Sequence, residues 1–300
     1  MIRRLGLAAA LLIGAAPLPH LAAPAAAQQD FHWSGRLGRG EQISVKGIIG
    51  DIRAEAASGD QVTVTAVRRG RNASRVRIET VRRSDGVVIC ALYPDDHEDD
   101  GWAMRRDRDD DDDGDRGEPR DACNRGNHHV GRNAAEVDFT VRVPAGVRVS
   151  LATVTGDVYA SGLHSPVRAA SVSGSVHVSS DGPVQASSVS GDVEATLGRT
   201  GGQSLRFTSV SGDVTVRVPA GIDADFSART LSGSIDSDFP LQLGAGRARR
   251  DRDDDDDDDD DRPRRVRVRI GQEANGRLGR GGPDLMVNTV SGDINLVRVR

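Results

Sequence analysis

Residues 184–195, VQASSVSGDVEA, decide the fold. Apolar side chains stand at Val184, Ala186, Val189, Val193 and Ala195, with Gly191 set between the two halves. The same frame returns at residues 43–54, 149–160, 167–178, 205–216, 226–237 and 285–296, and only Ser237 departs from its apolar rule. The repeated glycines are Gly50, Gly156, Gly174, Gly191, Gly212, Gly233 and Gly292. Such a unit cannot bury its apolar face alone, whereas stacked units share one continuous core. Alternation of period two marks strands. The two-residue step before the third apolar position (Val189 here) is read as a bend. The glycine is read as standing where an inward side chain is expected, which suits positive φ and close backbone approach. These features predict an all-β fold, a β-solenoid (parallel β-helix-like) of short repeated coils.

Composition agrees with a narrow core. Aromatic residues make up 3% of the 300, glycines number 35, and the apolar residues are mostly Val, Ala, Leu and Ile. Burying one Val or Leu contributes roughly 1.5–3 kcal/mol, against about 1–2 kcal/mol of backbone ordering per residue. Single coils are therefore marginal, and stacking has to supply the stability.

The first 27 residues read as a signal peptide: Arg3 and Arg4, then an apolar stretch, then Ala25-Ala26-Ala27 before Gln28. Residues 28–300 are then one domain, and the mature chain has no segment suited to cross a membrane as a helix. The formal net charge is −5, or −7 once Arg3 and Arg4 are removed. An acidic balance argues against nucleic-acid binding. Cys90 and Cys123 are the two cysteines, and in an oxidising compartment they are expected to form a disulfide.

Between the first and second copies, residues 61–67, 75–81 and 87–92 read as strands that cap the array. Residues 94–133 and 244–262 are acidic insertions, with five aspartates at 109–113 and nine at 253–261. Blocks of like charge repel, so both are expected to be solvated, disordered loops. Weak, nonspecific cation binding, Ca²⁺ included, is the most that Asp253, Asp254, Asp255, Asp256 and Asp257 are expected to offer, because EF-hand ligand spacing is missing. Residues 265–270 read as a strand. GRLGRG, at 35–40 and again at 276–281, reads as a turn that opens a coil.

The V-S-G-D-V series after an export signal resembles the bacterial putative-adhesin family, an exported domain of unknown function. The resemblance covers residues 43–296 apart from the insertions. It implies a β-solenoid outside the cytoplasm, periplasmic or secreted, and brings no catalytic residues and no cofactor.

Candidate chemistry is sparse. Asp51, Asp157, Asp192, Asp213 and Asp293 follow the glycines, with Ser175 and Ser234 in two copies. A carboxylate ladder of this kind suits Ca²⁺ or acid–base work, but two missing acids favour turn chemistry. Cys123, His128, His129 and His97 are a weak metal set, since Cys123 is better used by Cys90. Scarce aromatics weaken a sugar-stacking groove, for which Trp33 and Trp102 are what the sequence offers. The expected function is a non-enzymatic, adhesin-like interaction surface of the cell envelope, with an unknown cell-surface or envelope component as partner. The alternatives are a polysaccharide-cleaving β-helix enzyme and a cation-responsive or envelope-stress accessory protein.

Overall fold

The computed structural model describes residues 31–94, 123, 135–198, 202–243, 266–269 and 272–299. The expected signal peptide lies outside these residues. So do Asp253 to Asp257, His97, Trp102, His128, His129 and most of both acidic insertions.

The described residues fold into two eleven-stranded sheets that share one core. The first sheet runs, in spatial order, Phe31–Gly35, Val62–Arg69, Glu136–Val143, Ile52–Ala56, Val158–Leu163, Val176–Ser180, Val193–Leu197, Val214–Pro219, Ile294–Val299, Ser234–Ser237 and Val266–Arg269. The second runs Gln242–Leu243, Gln272–Leu278, Ala224–Ser232, Asp284–Ser291, Leu205–Thr208, Val184–Ser190, Val167–Ser173, Arg148–Thr155, Gln42–Lys46, Gly86–Leu92 and Arg77–Arg83. Each repeat copy gives one strand to each sheet, and the copies pair in parallel. This is the all-β solenoid that the repeat predicts.

Parallel pairing in register stacks like residues on like. Val149, Val167 and Val184 form one column, and Leu151, Ala169 and Ala186 another. In the facing sheet Val158, Val176, Val193, Val214, Ile294 and Ile235 form a column with no exposed surface. Valine and isoleucine suit this arrangement because their branched side chains are stiff and pack well on a pleated surface. Ser237, which breaks the apolar rule, is buried and satisfied: its hydroxyl donates to the Phe239 carbonyl and accepts from the Phe239 N–H.

The stacking order is not the chain order. The last copy, 285–296, sits between copies 205–216 and 226–237, pairing with Leu205–Thr208 and Val214–Pro219 on one side and with Ala224–Ser232 and Ser234–Ser237 on the other. The outer edge of copy 226–237 is closed by antiparallel strands, Gln272–Leu278 and Val266–Arg269. At the opposite end Phe31–Gly35, Val62–Arg69 and Arg77–Arg83 also pair antiparallel. Antiparallel strands at both ends keep parallel coil edges from pairing with other chains.

Candidate functional site: the V-S-G-D corner

The first sheet and the second meet at a corner that every copy builds to the same pattern. Alternation does not break before the corner, as the sequence reading supposed. It runs on for one more residue, so the inward position belongs to a hydroxyl side chain. Thr153, Ser171, Ser188, Ser209, Thr289 and Thr230 are all buried. Burying a hydroxyl is costly unless it is bonded, and each of these donates to a glycine carbonyl of the adjacent coil. Ser171 reaches Gly156 O at 2.8 Å, Ser188 reaches Gly174 O at 2.8 Å and Ser209 reaches Gly191 O at 3.0 Å. Thr153, Thr289 and Thr230 do the same to Gly50, Gly212 and Gly292. The signal was present in the sequence: Ser, Thr or Gly47 occupies this position in all seven copies.

The third apolar position is therefore corrected. Val154, Val172, Val189, Val210, Val290 and Leu231 face solvent, with 42–69% of their surface exposed, and only Ile48 in the first copy is half-buried. Because neighbouring coils are paired in register, these side chains form one continuous apolar stripe along the corner.

The glycines have the positive φ and the close backbone approach expected of them, but their placement is corrected. They do not stand in for inward side chains. A Cβ on Gly191 would lie 2.3 Å from Gly174 O, and one on Gly212 would lie 2.3 Å from Gly191 O, so peptide packs directly on peptide along the stack. Only glycine permits that approach.

The acids after the glycines form a ladder between coils rather than a local turn bond. Asp213 N–H donates to Asp192 Oδ1 at 2.9 Å, Asp293 N–H to Asp213 Oδ1 at 2.7 Å, and Ser234 N–H to Asp293 Oδ1 at 2.7 Å. Asp157 N–H and Ser175 N–H are held likewise by Asp51 and Asp157, and Asp192 N–H by Ser175 Oγ at 3.3 Å. Asp138, outside the repeat frame, starts the row by accepting from Asp51 N–H. Arg69, Arg53 and the Tyr159 hydroxyl take the second oxygens of Asp138, Asp51 and Asp157. The bond to Asp157 holds the Tyr159 phenol above its ordinary pKa. Among the described residues no cation pairs with Asp192, Asp213 or Asp293.

The outer face of the first sheet carries a second, polar row. Arg53 lies over the Tyr159 ring, Tyr159 stacks on His177 at 5.0 Å, and Glu194 links His177 to Arg217. Trp33 is partly buried against the core. Cys90 and Cys123 are joined by a disulfide with a Cα–Cα distance of 5.7 Å. Among the described residues no three His, Cys, Asp or Glu side chains are grouped to hold a metal ion, and no helix is long and apolar enough to cross a membrane.

No curated protein matches this sequence. Among solved structures, that of a putative cell adhesion protein from Clostridium sporogenes aligns with 90% of this chain and 99% of its own, at 9% identity and a TM-score of 0.43. Residues 123–270 match the Toastrack DUF4097 family, a domain of unknown function. The corner glycines Gly156, Gly174, Gly191, Gly212 and Gly233 all lie within the segment that resembles this family.

Proposed function

We propose that this chain is an exported, non-enzymatic protein of the cell envelope, and that its repeated corner is an adhesin-like interaction surface for an envelope or cell-surface component. The observation that carries this reading is the exposed apolar stripe from Val154 to Leu231. Single exposed apolar residues are ordinary, but contiguous ones bordered by polar groups mark interaction sites. The stripe is not needed for the core, since the hydroxyl ladder beside it already closes each coil. Export is supported by the signal-like residues 1–27 and by the Cys90–Cys123 disulfide, which persists in oxidising compartments.

The test uses the mature chain, residues 28–300, in two parallel assays: binding to envelope fractions and cleavage of acidic polysaccharides. Saturable binding that is lost when Val189 and Val210 are changed to Ser supports the proposal. Turnover abolished by Asp192→Asn or Asp213→Asn refutes it, because an acid–base site loses most of its rate with one carboxylate.

A further inference from the structure

Resting on that reading, we infer that the corner's partner is a cationic amphipathic α-helix lying lengthwise along the stripe. Its apolar face would cover Val154, Val172, Val189, Val210, Val290 and Leu231, and its Lys or Arg flank would face the acid row.

Three features on the corner select this partner. The first is charge. Three residues beyond Val189, Val210 and Val290 stand Asp192, Asp213 and Asp293, in consecutive coils, whereas Ser175 and Ser234 hold the matching places beside Val172 and Leu231. One oxygen of each accepts a backbone N–H from the next coil, which fixes the carboxylate in place, and no cation among the described residues neutralises it. The apolar row therefore has an acidic border on one side only. On its other side stand Ala152, Ala170, Ser187, Thr208, Asn288 and Arg229, whose one charge, Arg229, is paired with Glu273.

The second feature is length. Six rungs at the strand spacing of about 4.8 Å extend roughly 24 Å. An α-helix rises 1.5 Å per residue, so about sixteen residues span the row. The third feature is pitch. Apolar residues on one helix face recur on average every 3.5 residues, or about 5.2 Å, and drift only about 2 Å from the rungs over five steps. An extended strand presents one face every 6.7 Å or so and would drift by about 10 Å. A second copy of this chain matches the pitch perfectly, but it brings the same net negative charge to the contact. The acid border disfavours it.

The probe is a labelled synthetic peptide of about eighteen residues, with Leu on one helical face and Lys on its flanks. Its control has the same composition scrambled so that no apolar face forms. Both are titrated into residues 28–300 by fluorescence anisotropy at low and high salt. The amphipathic peptide is expected to bind at least about tenfold tighter than the scrambled one, and the Val189→Ser, Val210→Ser pair to lose about that factor. Changing Asp192, Asp213 and Asp293 to Asn keeps the Oδ1 acceptor and removes only charge. It should weaken binding severalfold and flatten the salt dependence. Thermal melts of both variants should stay close to the parent, since the valines are exposed and Asn keeps the oxygen that accepts the N–H of the next coil.

Equal binding of the two peptides overturns the inference, as does full affinity in the valine pair. Self-association of the unliganded chain in sedimentation, lost in the valine pair, overturns it in favour of a second copy. If the peptide fails while envelope binding persists and needs Val189 and Val210, the interaction surface stands and the helical partner falls. If neither binds, both readings fall.

Discussion

Placing a methyl group on Gly191 tests the whole account of the corner, because the clash it creates is with main chain. The new Cβ would lie 2.3 Å from Gly174 O, 2.6 Å from its carbonyl carbon and 3.0 Å from Ser175 N. None of these atoms can swing aside as a long side chain would. Relief of about 1 Å has to come from separating the two coils where they are most tightly bonded. Three bonds cluster there: Gly174 N–H to Ser190 O at 3.1 Å, the Ser188 hydroxyl to Gly174 O at 2.8 Å, and Asp192 N–H to Ser175 Oγ at 3.3 Å. At about 1 kcal/mol net each, losing two or three costs roughly 2–3 kcal/mol. The φ of 156° at Gly191 adds backbone strain of order 1 kcal/mol for a residue with a side chain. Gly191→Ala should therefore destabilise the fold by about 3–4 kcal/mol, and Gly191→Val by more. Asp192→Ser should cost less than about 1 kcal/mol, since Ser175 already holds the next coil through its hydroxyl. Equilibrium urea unfolding of the three variants measures this, with the slope checked for constancy. A Gly191→Ala cost below about 1 kcal/mol would refute peptide-on-peptide stacking as the reason for the glycine.

Two further predictions concern the end of the array near residue 90. Reducing the Cys90–Cys123 disulfide, which spans a sequence separation of 33, should lower stability by about 3–4 kcal/mol on the chain-entropy account; denaturation with and without reductant reads this, and unchanged midpoints would reject it. Burial raises the Tyr93 phenol to about 12, and its hydroxyl donates to the Ile49 carbonyl. The folded state therefore holds this proton more tightly than the unfolded chain. Its contribution is complete below pH 10 and is lost as pH rises toward 12, so the alkaline limb of an unfolding-against-pH profile should be shallower in Tyr93→Phe.

Much of the solenoid could be read from period and spacing, because parallel stacking makes each copy obey the same local rule. Strands at 62–69, 77–83, 86–92 and 266–269 were legible for the same reason: alternating or β-branched runs bounded by turn residues. The order of the coils was not legible. Every copy has the same apolar frame, so nothing local tells copy 285–296 to insert beside 205–216 rather than follow 226–237. That choice is made by the antiparallel strand Gln272–Leu278, which occupies the outer edge of Ala224–Ser232 and leaves only the inner edge for the returning chain.

The corner was misread for a more instructive reason. A hydrophobicity rule assigns Val172 to the core and Ser171 to the surface, and the structure reverses both. Two neighbouring residues compete for one inward position, and the strand's alternation has already settled which of them faces in. Serine bears the burial because a glycine carbonyl of the adjacent coil stands 2.8 Å from its hydroxyl. That carbonyl is reachable only because the glycine lacks a Cβ and lets the coils close up. The glycine, the hydroxyl and the exposed valine are thus one device. Glycine brings the coils together, the hydroxyl satisfies the exposed peptide, and valine is left outside with no structural role in closing the coil. An apolar residue retained in six successive rungs where packing does not require it is better explained by what it touches outside the molecule. The proposed interaction surface therefore lies at the corner rather than on either sheet face.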